Sequence, residues 1–217
     1  MPIERKEIEK KYLLLCEGKD AENFLITYLN SSALSQDQRF SNDIQVLDFG
    51  GNENLGNFLM NLKNMENYDL VTSLAIVRDA EKDYNKACHE ICSSLMKCGI
   101  ESSEEGVWFE NNSGLKCGFV LFPLDNSAGT LEDLCLRILA EKDNKSILGS
   151  VEGFLFTMES VYGRCYHRKH KNMLYTYLSS SDKYVTMPLG TASRAGAFDW
   201  SSDILLPLKD FLCKGFA

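Results

Sequence analysis

Residues 13–20 read Leu13-Leu14-Leu15-Cys16-Glu17-Gly18-Lys19-Asp20, and residues 74–83 read Leu74-Ala75-Ile76-Val77-Arg78-Asp79-Ala80-Glu81-Lys82-Asp83. In each, a short apolar run stops abruptly in carboxylates. A run of about four apolar residues closing on a turn residue has the pattern of a strand buried on both faces of a parallel sheet. Ligands of open α/β sheets sit beyond the carboxyl ends of the strands. If these two strands are neighbours, Glu17, Asp79, Glu81 and Asp83 meet in one crevice. Like charges that close repel, so the cluster needs a cation or a raised pKa. Oxygen donors with no histidine among them favour Mg²⁺ or Mn²⁺ over zinc.

Outward from these two runs, strands and helices alternate. The pattern predicts strands at Lys11–Cys16, Ile44–Phe49, Ser73–Val77 and Cys117–Phe122. It predicts helices over 20–29, from Asn52 or Asn54 to about Met65, over 81–98 with Gly99 closing the last turn, and over 130–141. Residues 100–116 read as a loop or short hairpin. Residues 146–162, 169–178 and 203–212 read as helices, and the Gly/Ala-rich stretch 187–200 as irregular. Such alternation implies an α/β fold, a mostly parallel sheet with helices on both faces. No linker splits the chain. The expectation is one domain over 1–217, with a core at about 11–139 and a helical C-terminal extension at about 140–217.

Composition narrows the function classes. The 217 residues carry 23 Lys and Arg against 31 Asp and Glu, a formal net charge of −8. That balance counts against broad non-specific nucleic-acid binding, which wants a basic surface. A local exception is Arg164-Cys165-Tyr166-His167-Arg168-Lys169-His170-Lys171, with four cations, two histidines and no acid. It reads equally as a solvated basic face or as a phosphate-contacting patch made by Arg164, Arg168, Lys169 and Lys171. The eight cysteines form no CxxC pair, so free, mostly buried thiols account for them better than zinc or disulfides. The N-terminal residues hold no apolar stretch suited to a signal peptide, and no run approaches a membrane span, so a cytoplasmic protein is expected.

Candidate chemistry rests on acids at successive strand ends. Asp79 and Glu81, two residues apart after a strand, point to one side and suit one or two ions. Paired ions about 4 Å apart hold both the attacking and leaving oxygens of a phosphoryl transfer. Glu132 and Asp133 fall in the first turn of the helix after the fourth strand and face the same crevice. Each acid also has a plain reading, because the macrodipole favours acids in the first turn of any helix. For all of them together that reading weakens. Neither GxGxxG, nor a P-loop, nor GxSxG is present.

At Glu17-Gly18-Lys19-Asp20, Asp48-Phe49-Gly50-Gly51, Val77–Asp83 and Gly129-Thr130-Leu131-Glu132-Asp133-Leu134 the sequence resembles the topoisomerase–primase (Toprim) domain. The layout is similar to the Toprim module of OLD-type endonucleases and to small stand-alone Toprim-like proteins, over roughly Lys11 to Leu139. The resemblance implies a Rossmann-like fold and a Mg²⁺ or Mn²⁺ site. By it, Glu17 is a metal ligand or general acid/base and Asp79 the first acid of the metal-binding pair. Glu81 stands where the family usually has Asp, with Asp83 as a compensating ligand. Glu132 matches a later Glu for a second ion, and Lys171, with Lys169 close behind, the catalytic lysine. The ATPase domain of many OLD-type proteins is missing from this sequence. Three functions follow as expectations: a metal-dependent nuclease on DNA or RNA; a non-catalytic module binding nucleic acid or a protein partner; and a receiver-like protein with Asp79 as phosphoacceptor.

Overall fold

The computed structural model of the chain describes residues 7–34, 36–101, 104–142 and 146–216. Five strands form one sheet: β1 Tyr12–Cys16, β2 Ile44–Asp48, β3 Ser73–Asp79, β4 Phe109–Glu110 and β5 Lys116–Phe122. Their order is β2-β1-β3-β5-β4, with the first four mutually parallel and β4 antiparallel at the edge. The helices are α1 Gly18–Leu29, α2 Gln38–Asn42, α3 Leu55–Leu62, α4 Tyr84–Lys97, α5 Leu131–Lys142, α6 Ser146–Ser160, α7 Lys169–Ser179, α8 Leu189–Arg194 and α9 Leu206–Gly215. This is the expected α/β class.

Strand pleating sorts the core into two layers, because successive side chains point to opposite faces. Tyr12, Leu14 and Cys16 of β1, Ala75 and Val77 of β3, and Val120 and Phe122 of β5 pack under α1, α5 and α7 to α9. Leu13, Leu15, Leu74, Ile76, Phe119 and Leu121 pack on the other face under α3 and α4. Continuing that alternation, Arg78 faces α4 and Asp79 faces α5. The register sets Cys16 beside Asp48 on one side and Val77 on the other. Glu17, Asp48 and Asp79 therefore lie at the carboxyl end of the sheet, with β3 running two residues beyond the level of Cys16 and Asp48. From β1 the chain winds to one side to β2 and then crosses to β3, so the reversal of winding lies between β1 and β3, where a ligand crevice is expected.

The helical C-terminal extension packs into the body of the domain: Leu174, Leu178, Leu189, Leu208, Phe211 and Leu212 complete one of the two core layers. Two expectations are corrected. Residues 187–200 are not irregular throughout, since α8 forms there. Its Gly190 N–H donates to Asp20 Oδ1 of α1 at 2.8 Å, and a Cβ at Gly190 would lie 2.7 Å from Asn23. A small residue and a distant cap thus make a helix that local propensity does not announce. Helix α4 starts at Tyr84 rather than at 81, because Asp83 caps it by accepting from Lys86 N–H at 3.0 Å. The five-residue α2, capped by Asp37, has no counterpart in the sequence reading. The expected hairpin over 100–116 is present as β4 paired with β5.

Candidate functional site

Asp79 ends the central strand β3. Its Oδ1 accepts the backbone N–H of Leu131, the first residue of α5, at 2.8 Å. Two backbone bonds hold that helix end in place. Glu81 and Gly129 exchange N–H···O=C bonds, both 2.8 Å, pinning the loop after β3 to the loop before α5. Glu81 adopts φ +57° to do so. Burial pushes the Asp79 carboxyl up to about 8, against the opposing Leu131 N–H, and the charges of Glu132, Glu17 and Glu81 push the same way. Three further carboxylates are therefore near enough to act on it.

Glu132 is buried, 6% exposed. Its Oε1 meets Lys171 Nζ of α7 at 2.9 Å. Burial acts to raise the Glu132 carboxyl, but the Lys171 ammonium, with help from Thr130, outweighs it and holds the group below its ordinary value. Lys171 is raised despite its own partial burial, by Glu132 and more weakly by Asp79. Glu17 is half-buried, with Oε2 shielded from solvent. The fold therefore gathers Glu17, Asp79, Glu132 and Lys171 from β1, β3, α5 and α7 at one strand-end corner.

The other candidates are placed differently. Glu81 is exposed, and with Asp83 it lines a groove of about 420 Å³ on the α4 side. Asp83 serves as the α4 cap, and Asp133 caps α5 by accepting from Thr130 N–H at 2.8 Å and Oγ1 at 3.0 Å. For Asp20, Asp83 and Asp133 the plain reading as helix-end acids fits; for Asp79 and Glu132 it is incomplete. Lys169 pairs with Glu159 at 2.9 Å, while Arg164 and Arg168 are exposed. Sequence reasoning passes over Asp48, whose Oδ1 accepts from Gly18 N–H at 2.8 Å and Gly50 N–H at 2.7 Å. It ties the turns after β1 and β2 together beside Glu17. The signal for it in the sequence is its place at a strand end before two glycines.

Among the described residues, no group of three His, Cys, Asp or Glu side chains is arranged to hold a metal ion. Glu132 is turned to Lys171, and Asp79 to a backbone N–H. The eight cysteines are free thiols, four of them buried. A larger groove, about 580 Å³, runs between α3 and α4 on the opposite face, lined by Arg78, Glu90, His89 and Lys97 among others, and by none of the clustered carboxylates. Among the described residues no helix is long and apolar enough to cross a membrane.

Fold and site together define an α/β protein of Rossmann-like layout with a carboxylate–lysine cluster at its strand ends. Residues 11–217 match the family described as protein of unknown function (DUF3226), and the chain belongs to that family. No curated protein and no solved structure matches it.

Proposed function

We propose that the protein catalyses divalent-cation-dependent phosphotransfer, with hydrolysis of nucleic-acid phosphodiesters as the reaction. The observation that carries this reading is the convergence of Glu17, Asp79 and Glu132 at the sheet's winding reversal, with Lys171 against Glu132. The resemblance to the Toprim module of OLD-type nucleases supports the same assignment. The donor set suits the cation, since it is all oxygen, and burial, with the neighbouring acids adding to it, leaves Asp79 reluctant to ionise. Glu17, Asp79 and Glu132 would hold Mg²⁺ or Mn²⁺, with Glu81 and Asp83 as outer acids on the rim. When bound, the ion polarises the phosphate and lowers the pKa of water.

The chain's own residues supply the rest. The Leu131 N–H fixes Asp79 at the end of α5. Lys171, freed from Glu132, places an ammonium where charge develops on the phosphate oxygens. The Glu81–Gly129 bridge keeps the two loops from separating. A second reading, a non-catalytic module that binds nucleic acid or a protein partner, is favoured by the Lys171–Glu132 pair, which neutralises one would-be ligand in place.

Calorimetric titration of the purified protein with Mn²⁺, with Asp79→Ala alongside, separates the two. Saturable binding lost in the variant, together with metal-dependent cleavage of DNA or RNA lost with it, is the expected result. No binding at millimolar metal, or cleavage retained in Asp79→Ala, overturns the assignment and leaves the binding module.

A further inference from the structure

The end of α6 and the turn beyond it expose an unusual set of side chains. Phe154 is 52% exposed, Phe156 64%, Val161 68% and Tyr162 67%. Four large apolar groups in nine residues, open to water, mark an interaction surface rather than a core. The eight residues Arg164–Lys171 carry four cations and no acid, in a chain whose overall charge is −8.

This surface has a defined shape and leads to the carboxylate corner. The chain reverses at Gly163, φ +64°, and Arg164 N–H donates back to Met158 C=O, six residues earlier, at 3.0 Å and closes the helix end. Lys169 then clamps the start of α7 to α6 through Glu159 at 2.9 Å. Two residues further on, Lys171 reaches Glu132. Hydrogen bonds and ion pairs thus run from the end of α6 through the start of α7 to Glu132, whose charge acts on Asp79.

We propose that the α6–α7 elbow is a platform for single-stranded nucleic acid, on which unpaired bases stack on Phe154 and Tyr162, which follow one side of α6 at helical spacing, while phosphates meet Arg164 and Arg168. The proposal rests on the nucleic-acid reading above and narrows its substrate class. Aromatic faces accept any unpaired base, whereas a duplex keeps its bases stacked on one another. Cations beside the rings complement a phosphate backbone. A second copy packed two-fold on the same face would set Arg164 and Arg168 against their own equivalents.

The test is fluorescence anisotropy in EDTA, without metal, using a labelled oligo-dT of about 16 nucleotides and a duplex of equal length. The wild type should bind the single strand at least tenfold more tightly than the duplex. Phe154→Ser/Tyr162→Ser should weaken single-strand binding at least tenfold. Arg164→Gln/Arg168→Gln should weaken it and flatten the slope of log affinity against log salt by about 1.4, the value for two lost contacts on a single strand. Equal affinity for duplex and single strand, or variants that bind like the wild type, overturns the platform. So does a wild-type dimer in sedimentation that Phe154→Ser/Tyr162→Ser converts to monomer. A Mn²⁺ titration of the same samples keeps the two readings apart. Metal binding without single-strand binding sinks the platform alone, and single-strand binding without metal binding sinks the phosphotransfer site alone.

Discussion

Arg78 and Asp79 are neighbours in β3, yet they face opposite sides of the sheet and meet opposite solutions to one problem. On the α4 side the buried member is a base: the Arg78 side chain is 2% exposed and its Nη2 meets Glu90 at 3.0 Å, with Glu90 43% exposed. On the α5 side the buried member is an acid: the Glu132 side chain is 9% exposed and meets Lys171, whose side chain is 39% exposed. Each pair buries one charge and leaves its partner at the rim. The difference is what surrounds them. Arg78 has its counter-charge and also donates from Nε to the Asp79 carbonyl at 3.4 Å. Beside Glu132 sits Asp79, a second carboxyl with no ion pair of its own among the described residues, lifted to about 8 by burial and by three acids. One face has settled its charge; the other keeps an unsettled one at a strand end, which is where perturbed groups tend to mark function.

The largest expected effect comes from breaking the settled side. Glu90→Ala strands a buried guanidinium that cannot deprotonate, and should cost about 3 kcal/mol of stability in urea unfolding, with little change between pH 5 and pH 8. A cost below about 1 kcal/mol would show that Arg78 finds water through the groove, and the contrast between the faces would fail.

Next is Lys171→Met, which strands an acid instead. Glu132 is held below its ordinary value in the folded chain, so the pair's contribution is present above the unfolded value and lost as pH falls through the folded one. The variant should lose about 2 kcal/mol at pH 8 and less at pH 5, where Glu132 takes up a proton. Millimolar Mn²⁺ should restore part of that loss but none of the Glu90→Ala loss. Equal costs at both pH values would remove the asymmetry.

The smallest effect is a gain. Asp79 keeps its proton in the folded, metal-free protein up to about pH 8, while the unfolded chain ionises near 4, so the penalty on folding grows with pH between those values. Asp79→Asn preserves the acceptor for Leu131 N–H and should raise stability at pH 8, and by less at pH 5. Thermal unfolding at the two pH values checks it; destabilisation at pH 8 would mean that the charged carboxylate is favoured where it sits.

Legibility in the sequence varies by element. The strands at 12–16, 73–79 and 116–122 can be read because each is buried on both faces, and a continuous apolar run too short for a helix fits little else. Helix boundaries are less legible. The start of α4 depends on which acid caps it, and α8 depends on Asp20, more than 160 residues away in sequence. That Glu17, Asp79 and Glu132 lie towards one end of the sheet follows from acids placed after parallel strands, whereas Lys171 entered through the resemblance and the basic run alone. Asp48 escapes notice as a member of that corner, and Asp83, expected in the crevice, caps a helix instead. The exposure of the rings on α6 is not legible, because periodicity marks an apolar face without saying whether anything covers it.

The sequence by itself determined the α/β class, the strand-end position of the acids and the basic run before Lys171, because these follow from local periodicity and charge. Only the tertiary structure decided which acids are caps and which are clustered, which member of each ion pair is buried, and that the C-terminal helices complete the core while α6 is left partly bare. Those outcomes depend on burial and on partners far apart in sequence, and a side chain's desolvation and pairing are set by what the rest of the chain packs against it.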